Sequence, residues 1–194
     1  MNNNSAVSKT QCADQRFECV SANIFPLVPE KGQSNSAELV SAFKQAMRAQ
    51  ASTVCILATQ VDGVRSGMVA TAVVAVSMDP PSLLISVNQQ AGMYEPVMRS
   101  RRFSVNFLTA DHDGLVAIFS GGAKGEARFN FGEWAQQDEV PVLKNACVSM
   151  TCVIEQDMVY GSHHLLIGRL LQVQQAGASQ ALIWQGGRSY SQLS

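Results

Sequence analysis

At 194 residues, 46% of them hydrophobic and 15% charged, the chain is long enough to bury one core without disulfide staples. Its net charge is −1 and no Lys/Arg block occurs, which sets nucleic acid and anionic membrane surfaces aside as partners. Cys12, Cys19, Cys55, Cys147 and Cys152 are an odd set without Cys-x-x-Cys spacing, which argues against a disulfide framework or a zinc site and for a reducing cytoplasm.

Residues 1–35, rich in Asn, Ser, Gln and Lys, read as a flexible N-terminal extension without the apolar h-region of an export signal. Its run Ile24-Phe25-Pro26-Leu27-Val28-Pro29 is apolar enough to dock on the body. Residues 36–194 read as one domain. Asn35 or Ser36 caps a helix with Leu39, Val40, Phe43, Ala46 and Met47 on one face. Thr53–Thr59 is a strand, Val61-Asp-Gly-Val64 a hairpin turn, and Arg65 begins the next strand.

Gly67–Asn88, GMVATAVVAVSMDPPSLLISVN, is almost wholly apolar. A membrane helix is excluded because Pro80 and Pro81 remove two donors near its centre and Asp79 would sit at mid-bilayer. Two buried strands joined by a tight turn fit better. Gly67, Ala70, Thr71 and Ala72 then leave open main chain, either for close packing or for a flat ring.

Glu95–Ser100 reads as a short helix, Phe103–Leu108 as a strand, and Asp111 as the cap of a helix through Leu115, Ile118 and Phe119. Ser120–Phe129 is a polar, Gly-rich loop, and strands follow at Ala146–Glu155, His164–Gln174 and Ala181–Gln185. Many short strands with few helices predict a mainly β, antiparallel barrel rather than a βαβ sheet. The chain has no Gly-x-Gly-x-x-Gly fingerprint, no P-loop ending after Gly121-Gly-Ala-Lys-Gly125, and no Gly-x-Ser-x-Gly elbow. His112, His163 and His164 lack metal-ligand spacing.

Gly67-Met-Val-Ala-Thr-Ala72 with Ser77-Met-Asp-Pro-Pro81, then Phe103-Ser-Val-Asn-Phe-Leu108 and Gly161-Ser-His-His164, resembles the flavin reductase family. That family includes reductase components of two-component flavin monooxygenases, and the likeness runs from about Leu39 to Leu193. The resemblance implies an antiparallel split barrel and a cytoplasmic homodimer. The implied activity is NAD(P)H-dependent reduction of FMN or FAD, which then serves a partner monooxygenase. NADH or NADPH is the implied hydride donor. Two other classes stay open: a flavin storage or sensor module without nicotinamide turnover, and a split-barrel oxidase or binder of another flat cofactor. Hydride transfer requires stacking at about 3.5 Å rather than a catalytic dyad, so the missing dyad is consistent with this chemistry.

By the resemblance, Gly67, Met68, Val69, Thr71 and Ala72 line the flavin, and Ser86, Val87 and Asn88 approach its ribityl chain and phosphate. Ala72 stands where many relatives have Asn or Ser. Lys124 and Arg128 are either solvated loop charges or ligands of a phosphate, and Arg128-Phe129 resembles a family pair. His163 matches a histidine near the nicotinamide, with Ser162 replacing the aspartate before it, and Tyr190 borders the same site or a neighbouring subunit. His163 is the one candidate for a catalytic role. Neighbours on a strand, His163 and His164 face opposite sides. Gly67→Val is expected to displace a ring and leave the fold intact.

Overall fold

The computed structural model describes residues 36–176 and 180–191, so the N-terminal extension, Cys12, Cys19 and the Ile24–Pro29 run lie outside the described residues. The chain divides into two units, Met1–Ala42 and Phe43–Ser194. In the first, Ser36 Oγ accepts from the Leu39 N–H at 3.1 Å, the predicted cap at the start of helix α1 (Ala37–Ala49), whose last residues belong to the second unit. The second holds the strands.

Strands β1 (Ser52–Thr53), β2 (Cys55–Val61), β3 (Val64–Ala70), β4 (Val73–Met78) and β5 (Pro81–Asn88) come first in the chain. Helix α2 (Tyr94–Ser100), strand β6 (Arg102–Phe107) and helix α3 (Asp113–Ala117) follow. The remaining strands are β7 (Trp134–Gln137), β8 (Val140–Leu143), β9 (Val148–Tyr160), β10 (His163–Gln175), β11 (Ile183–Gln185) and β12 (Arg188–Tyr190). One antiparallel sheet has the order β3-β2-β6-β9-β10-β5-β4; β1-β11-β12 and β7-β8 form smaller sheets. The predicted hairpin joins β2 to β3 with φ of 52° at Asp62 and 80° at Gly63, the two positive values a two-residue type I′ turn requires.

Strands β3 and β4 lie at opposite edges of the seven-stranded sheet, yet only Thr71 and Ala72 separate them in the chain. A link that short spans about 10 Å, so the sheet curls until its edges approach. The edges do not pair with each other, and the cylinder is not closed by hydrogen bonds. Inside the curl, Cys55, Leu57, Phe103, Val105, Ile85, Val87, Cys152, Ile154 and Leu166 are buried together, with Met93 and Val97 from the α2 segment. Outside, Val54, Ile56 and Ala58 of the β2 segment pack under Leu115, Phe119, Phe129, Leu143 and Leu182.

Asn106 pins the two layers. Its Nδ2 donates to Ile56 O at 3.1 Å and to Ser104 Oγ at 2.9 Å. Its Oδ1 accepts from Leu143 N–H at 2.9 Å and from Ser149 Oγ at 3.0 Å. All four hydrogen-bonding positions of this buried amide are therefore used.

Four expectations are corrected. The Gly67–Asn88 stretch forms three strands, and β4 is not buried: Val74, Val76 and Met78 are 58%, 47% and 81% exposed on the sheet edge. Residues 120–129 are not loop throughout, because a π-helical turn (Ile118–Gly122) leads into a 3-10 helix (Gly125–Asn130). Asp111 does not cap the helix after β6. It lies inside a 3-10 turn (Ala110–His112) that Thr109 caps, with Thr109 Oγ1 2.9 Å from His112 Nδ1, and α3 begins after that turn at Asp113. Strand β9 also runs to Tyr160, five residues past the predicted end at Glu155.

A Cβ on Gly168 of β10 would stand 2.5 Å and 2.8 Å from two carbons of the Phe103 ring. Gly168→Ala should therefore cost about 1–3 kcal/mol, read as a lower urea midpoint at unchanged slope. An unaltered midpoint would show that the ring has room to move.

Candidate functional site

The proposed ligand residues fall into neighbourhoods set by strand register. Ser66, Gly67, Gly92, Lys124, Gly125 and Arg128 line a cleft of about 200 Å³. The 3-10 helix Gly125–Asn130 is strapped to β3 along this cleft. The Arg65 backbone N–H donates to Glu126 Oε2 at 2.7 Å, and Arg65 Nε to Oε1 at 2.6 Å. Burial pushes the Glu126 carboxyl up, but its bonds and charge attraction with Arg65 outweigh that and hold it below its usual value. Arg128 Nε donates to Ala123 O at 2.9 Å and its Nη1 donates to Gly67 O, which leaves Nη2 for an anion. Lys124 is exposed on the rim.

Gly67 serves packing as well as the cleft. A Cβ there would meet Leu57 O at 2.9 Å, Phe119 at 3.0 Å and Phe129 at 3.2 Å. Phe129 is itself buried, edge-on to Phe119 at 5.4 Å and to Trp134 at 4.8 Å between centroids. Arg65 lies 4.8 Å over its ring. The ring of Phe129 thus props the cleft wall from behind. Val69 packs against the same outer layer, Met68 against the inner core, and Val87 is fully buried within that core. Their side chains are occupied, and only main chain is left to contact a ligand at Val87.

Thr71 and Ala72 open onto a second cleft of about 450 Å³, shared with Met47, Ser52, Thr53 and Phe107. Ala72 O accepts from Ser86 N–H at 3.3 Å. Ser86 stands opposite Leu165, and Asn88 opposite His163. Paired residues share a sheet face, so Ser86, Asn88 and His163 lie on one side of β5 and β10. Asn88 is also a turn residue: its Oδ1 accepts from Gln90 N–H at 2.8 Å, and Gln89 N–H donates to Ser162 O at 3.0 Å. Ser162 places its Oγ 2.9 Å from His163 Nδ1 and so orients that ring with a hydroxyl. Tyr190 on β12 pairs with Ile183, which pairs with Thr53 at the second cleft; it does not join the strand of His163.

His164 faces the interior, as strand alternation requires, and is buried. Its Nδ1 lies 3.1 Å from the Tyr94 hydroxyl and its Nε2 2.9 Å from Asp157 Oδ1. The sequence reading missed this contact set, because its partners are 70 and 7 residues away. Burial pushes the Cys55 and Cys152 thiols up to about 12, so neither is a nucleophile at neutral pH. Among the described residues no cluster of His, Cys, Asp and Glu could hold a metal ion.

The site thus offers main chain, hydroxyls, two cations and an oriented imidazole, a set suited to binding a cofactor rather than to covalent catalysis. The family profile described as "Flavin reductase like domain" matches residues 47–194. The chain belongs to the flavin reductase family. The match begins within α1 rather than at Leu39. A relative named FMN reductase (NADH) RutF, from Methylorubrum populi, is 35% identical over 145 residues, which is 74% of this chain and 72% of that one. The reductase component of an FADH(2)-dependent resorcinol hydroxylase from a Rhizobium species is 33% identical, over 75% of this chain and 83% of that one. The solved structure of flavin reductase PheA2 superposes with a TM-score of 0.73 at 25% identity, covering 79% of this chain and 98% of that one.

For this flavin reductase family member, the expectation that Gly67→Val would spare the fold is corrected by the Phe119 and Phe129 contacts. The variant should lose about 1–3 kcal/mol of stability and bind flavin more weakly. Chemical denaturation and fluorescence titration of the same sample read the two effects. Full stability in Gly67→Val would remove the packing role.

Proposed function

We propose that this protein is an NADH-dependent flavin reductase that delivers reduced flavin to a separate monooxygenase. The observation that carries the proposal is the row formed by Ala72, Ser86, Asn88 and His163 on adjacent strands β5 and β10 and the link before β4, in a chain of this family. The Methylorubrum relative is named as an NADH-using FMN reductase and the Rhizobium relative as a reductase component, which supports both halves of the reading. Bound flavin supplies the hydride acceptor, and the chain supplies geometry.

Main chain at Gly67–Ala72 and Ser86–Asn88 lies along the ring system and ribityl chain, with small side chains permitting close approach. FMN and FAD both satisfy these contacts. Lys124 and the free edge of Arg128 receive the phosphate at the first cleft, where two cations offset its charge. His163, oriented by Ser162 Oγ, borders the nicotinamide, and Tyr190 borders the same site or a neighbouring subunit. None of these groups exchanges a proton with a nucleophile, and the rate comes from holding donor and acceptor in contact with water excluded.

We assign the curled sheet to the split-barrel type, because its edge strands are consecutive in the chain and unpaired with each other. A second copy covers β4. That edge strand carries Val74, Val76 and Met78 on its open face, next to the Thr71–Ala72 cleft, and an exposed apolar edge of this kind invites pairing. The buried, protonated Cys55 and Cys152 thiols accord with a cytoplasmic setting, and no described helix is long and apolar enough to cross a membrane.

NADH oxidation followed at 340 nm (the nicotinamide absorbance) should require added FMN or FAD. Flavin binding without NADH consumption would instead mark a storage module and end the reductase reading. His163→Ala should raise KM for NADH about fivefold and leave flavin affinity within twofold. Equal losses for both ligands would remove His163 from the nicotinamide side.

Val76→Lys should convert a dimer to a monomer in sedimentation and weaken flavin binding about tenfold or more, since the neighbouring cleft loses its cover. A wild-type monomer at micromolar concentration would contradict the paired form.

A further inference from the structure

His164 lies one residue beyond the family histidine and belongs to a contact chain that the flavin chemistry does not use. Tyr94 Oη is 3.1 Å from its Nδ1 with the two rings 5.7 Å apart, and Asp157 Oδ1 is 2.9 Å from its Nε2. Asp157 Oδ2 in turn accepts from Arg101 Nη1 at 2.7 Å, and Arg101 Nη2 donates to Ile154 O at 3.3 Å. The donors and acceptors fit one neutral tautomer: the Tyr94 hydroxyl donates to Nδ1 and Nε2–H donates to the carboxylate. The bond and charge attraction of Arg101, together with the bond to His164, hold the Asp157 carboxyl below its usual value against the opposing effect of burial.

The backbone at Arg101 is an independent sign of purpose. It caps α2 with φ of 55° and ψ of 17°, a left-handed conformation that glycine adopts freely and arginine does not. An arginine held there against its preference has a side chain with a task, and that side chain reaches Asp157.

The chain joins two parts of the candidate site. Tyr94 opens α2 and closes the turn after Asn88, with Tyr94 N–H donating to Ala91 O at 2.9 Å and Ala91 N–H to Asn88 O at 2.9 Å. That turn carries Gly92 to the cleft of Lys124 and Arg128. On the other side of the joint, His163 is the immediate strand neighbour of His164 and faces the opposite surface.

We propose that His164 is a positioning residue: through Tyr94 and Asp157 it fixes the 88–93 turn and the His163 strand relative to each other, and so sets how a nicotinamide dinucleotide is seated. The kinetic part rests on the reading of the protein as an NADH-dependent flavin reductase. The structural part does not.

Four variants of the full chain test it: Tyr94→Phe, which removes one oxygen, His164→Leu, His164→Gln, which keeps one donor and one acceptor, and Arg101→Gly. Amide exchange at Ala91 and Tyr94 should quicken about tenfold in Tyr94→Phe and His164→Leu at equal global stability, and recover in His164→Gln. KM for NADH should rise about fivefold in His164→Leu with kcat and flavin affinity within twofold, and His164→Gln should restore most of it. Arg101→Gly relieves the backbone and should hold or raise Tm while KM still rises about threefold. Unchanged exchange at the two amides overturns the joint whatever the activity. Faster exchange with unchanged KM confines it to structure and overturns the seating role. A wild type that oxidises no NADH in the presence of flavin overturns the reductase reading and the seating role with it, and the exchange result then decides the joint alone.

Discussion

The rest of the architecture depends on two residues, Thr71 and Ala72, which carry the chain from one edge of the seven-stranded sheet to the other. So short a link permits no flat sheet. It forces the curl, gives the sheet an inside and an outside, and lets central strands such as β2 and β6 bury both faces. The inside takes Phe103, Ile85 and Leu166, and the outside takes Ile56 and Ala58 under an aromatic layer. The same link leaves an open seam, because the two edges approach without pairing. The main chain at Thr71 and Ala72 lines the larger cleft, with Ala72 O held by Ser86 N–H.

Close packing then fixes the walls. Gly168 gives the Phe103 ring its place inside, and Gly67 gives Phe119 and Phe129 theirs outside. Asn106 spans the layers with a full set of bonds, so sliding the β7-β8 sheet over β6 would leave buried polar atoms unsatisfied. The straps from Arg65 to Glu126 and from Arg128 to Gly67 O hold the 3-10 helix Gly125–Asn130 against β3, so the basic side chains stand on a firm base.

What was legible in the sequence was mostly local. The Asp62-Gly63 turn, the Ser36 cap and the opposite facing of His163 and His164 follow from short-range rules, and all appear. The family was legible from ordered motifs, and the matching profile covers 47–194. The exposure of β4 was not legible, because apolar composition does not say which surface covers a strand. In the sequence Gly67 reads as open main chain, since Phe119 and Phe129 lie more than fifty residues further on and no periodicity links them. The role of His164 is hidden in the sequence for the same reason: Tyr94, its partner, is 70 residues away. The serine at position 162 looked like a lost carboxylate, whereas its hydroxyl reaches the imidazole and supplies an orienting bond of a different kind.

The two interior cysteines bear on life in air. Dihydroflavins react with dioxygen and give hydrogen peroxide, and a thiol is attacked by peroxide only as its anion. With Cys55 and Cys152 held up to about 12, that anion is scarce at any physiological pH. These two buried sulfurs inside the curled sheet are therefore poor targets for the by-product of autoxidation.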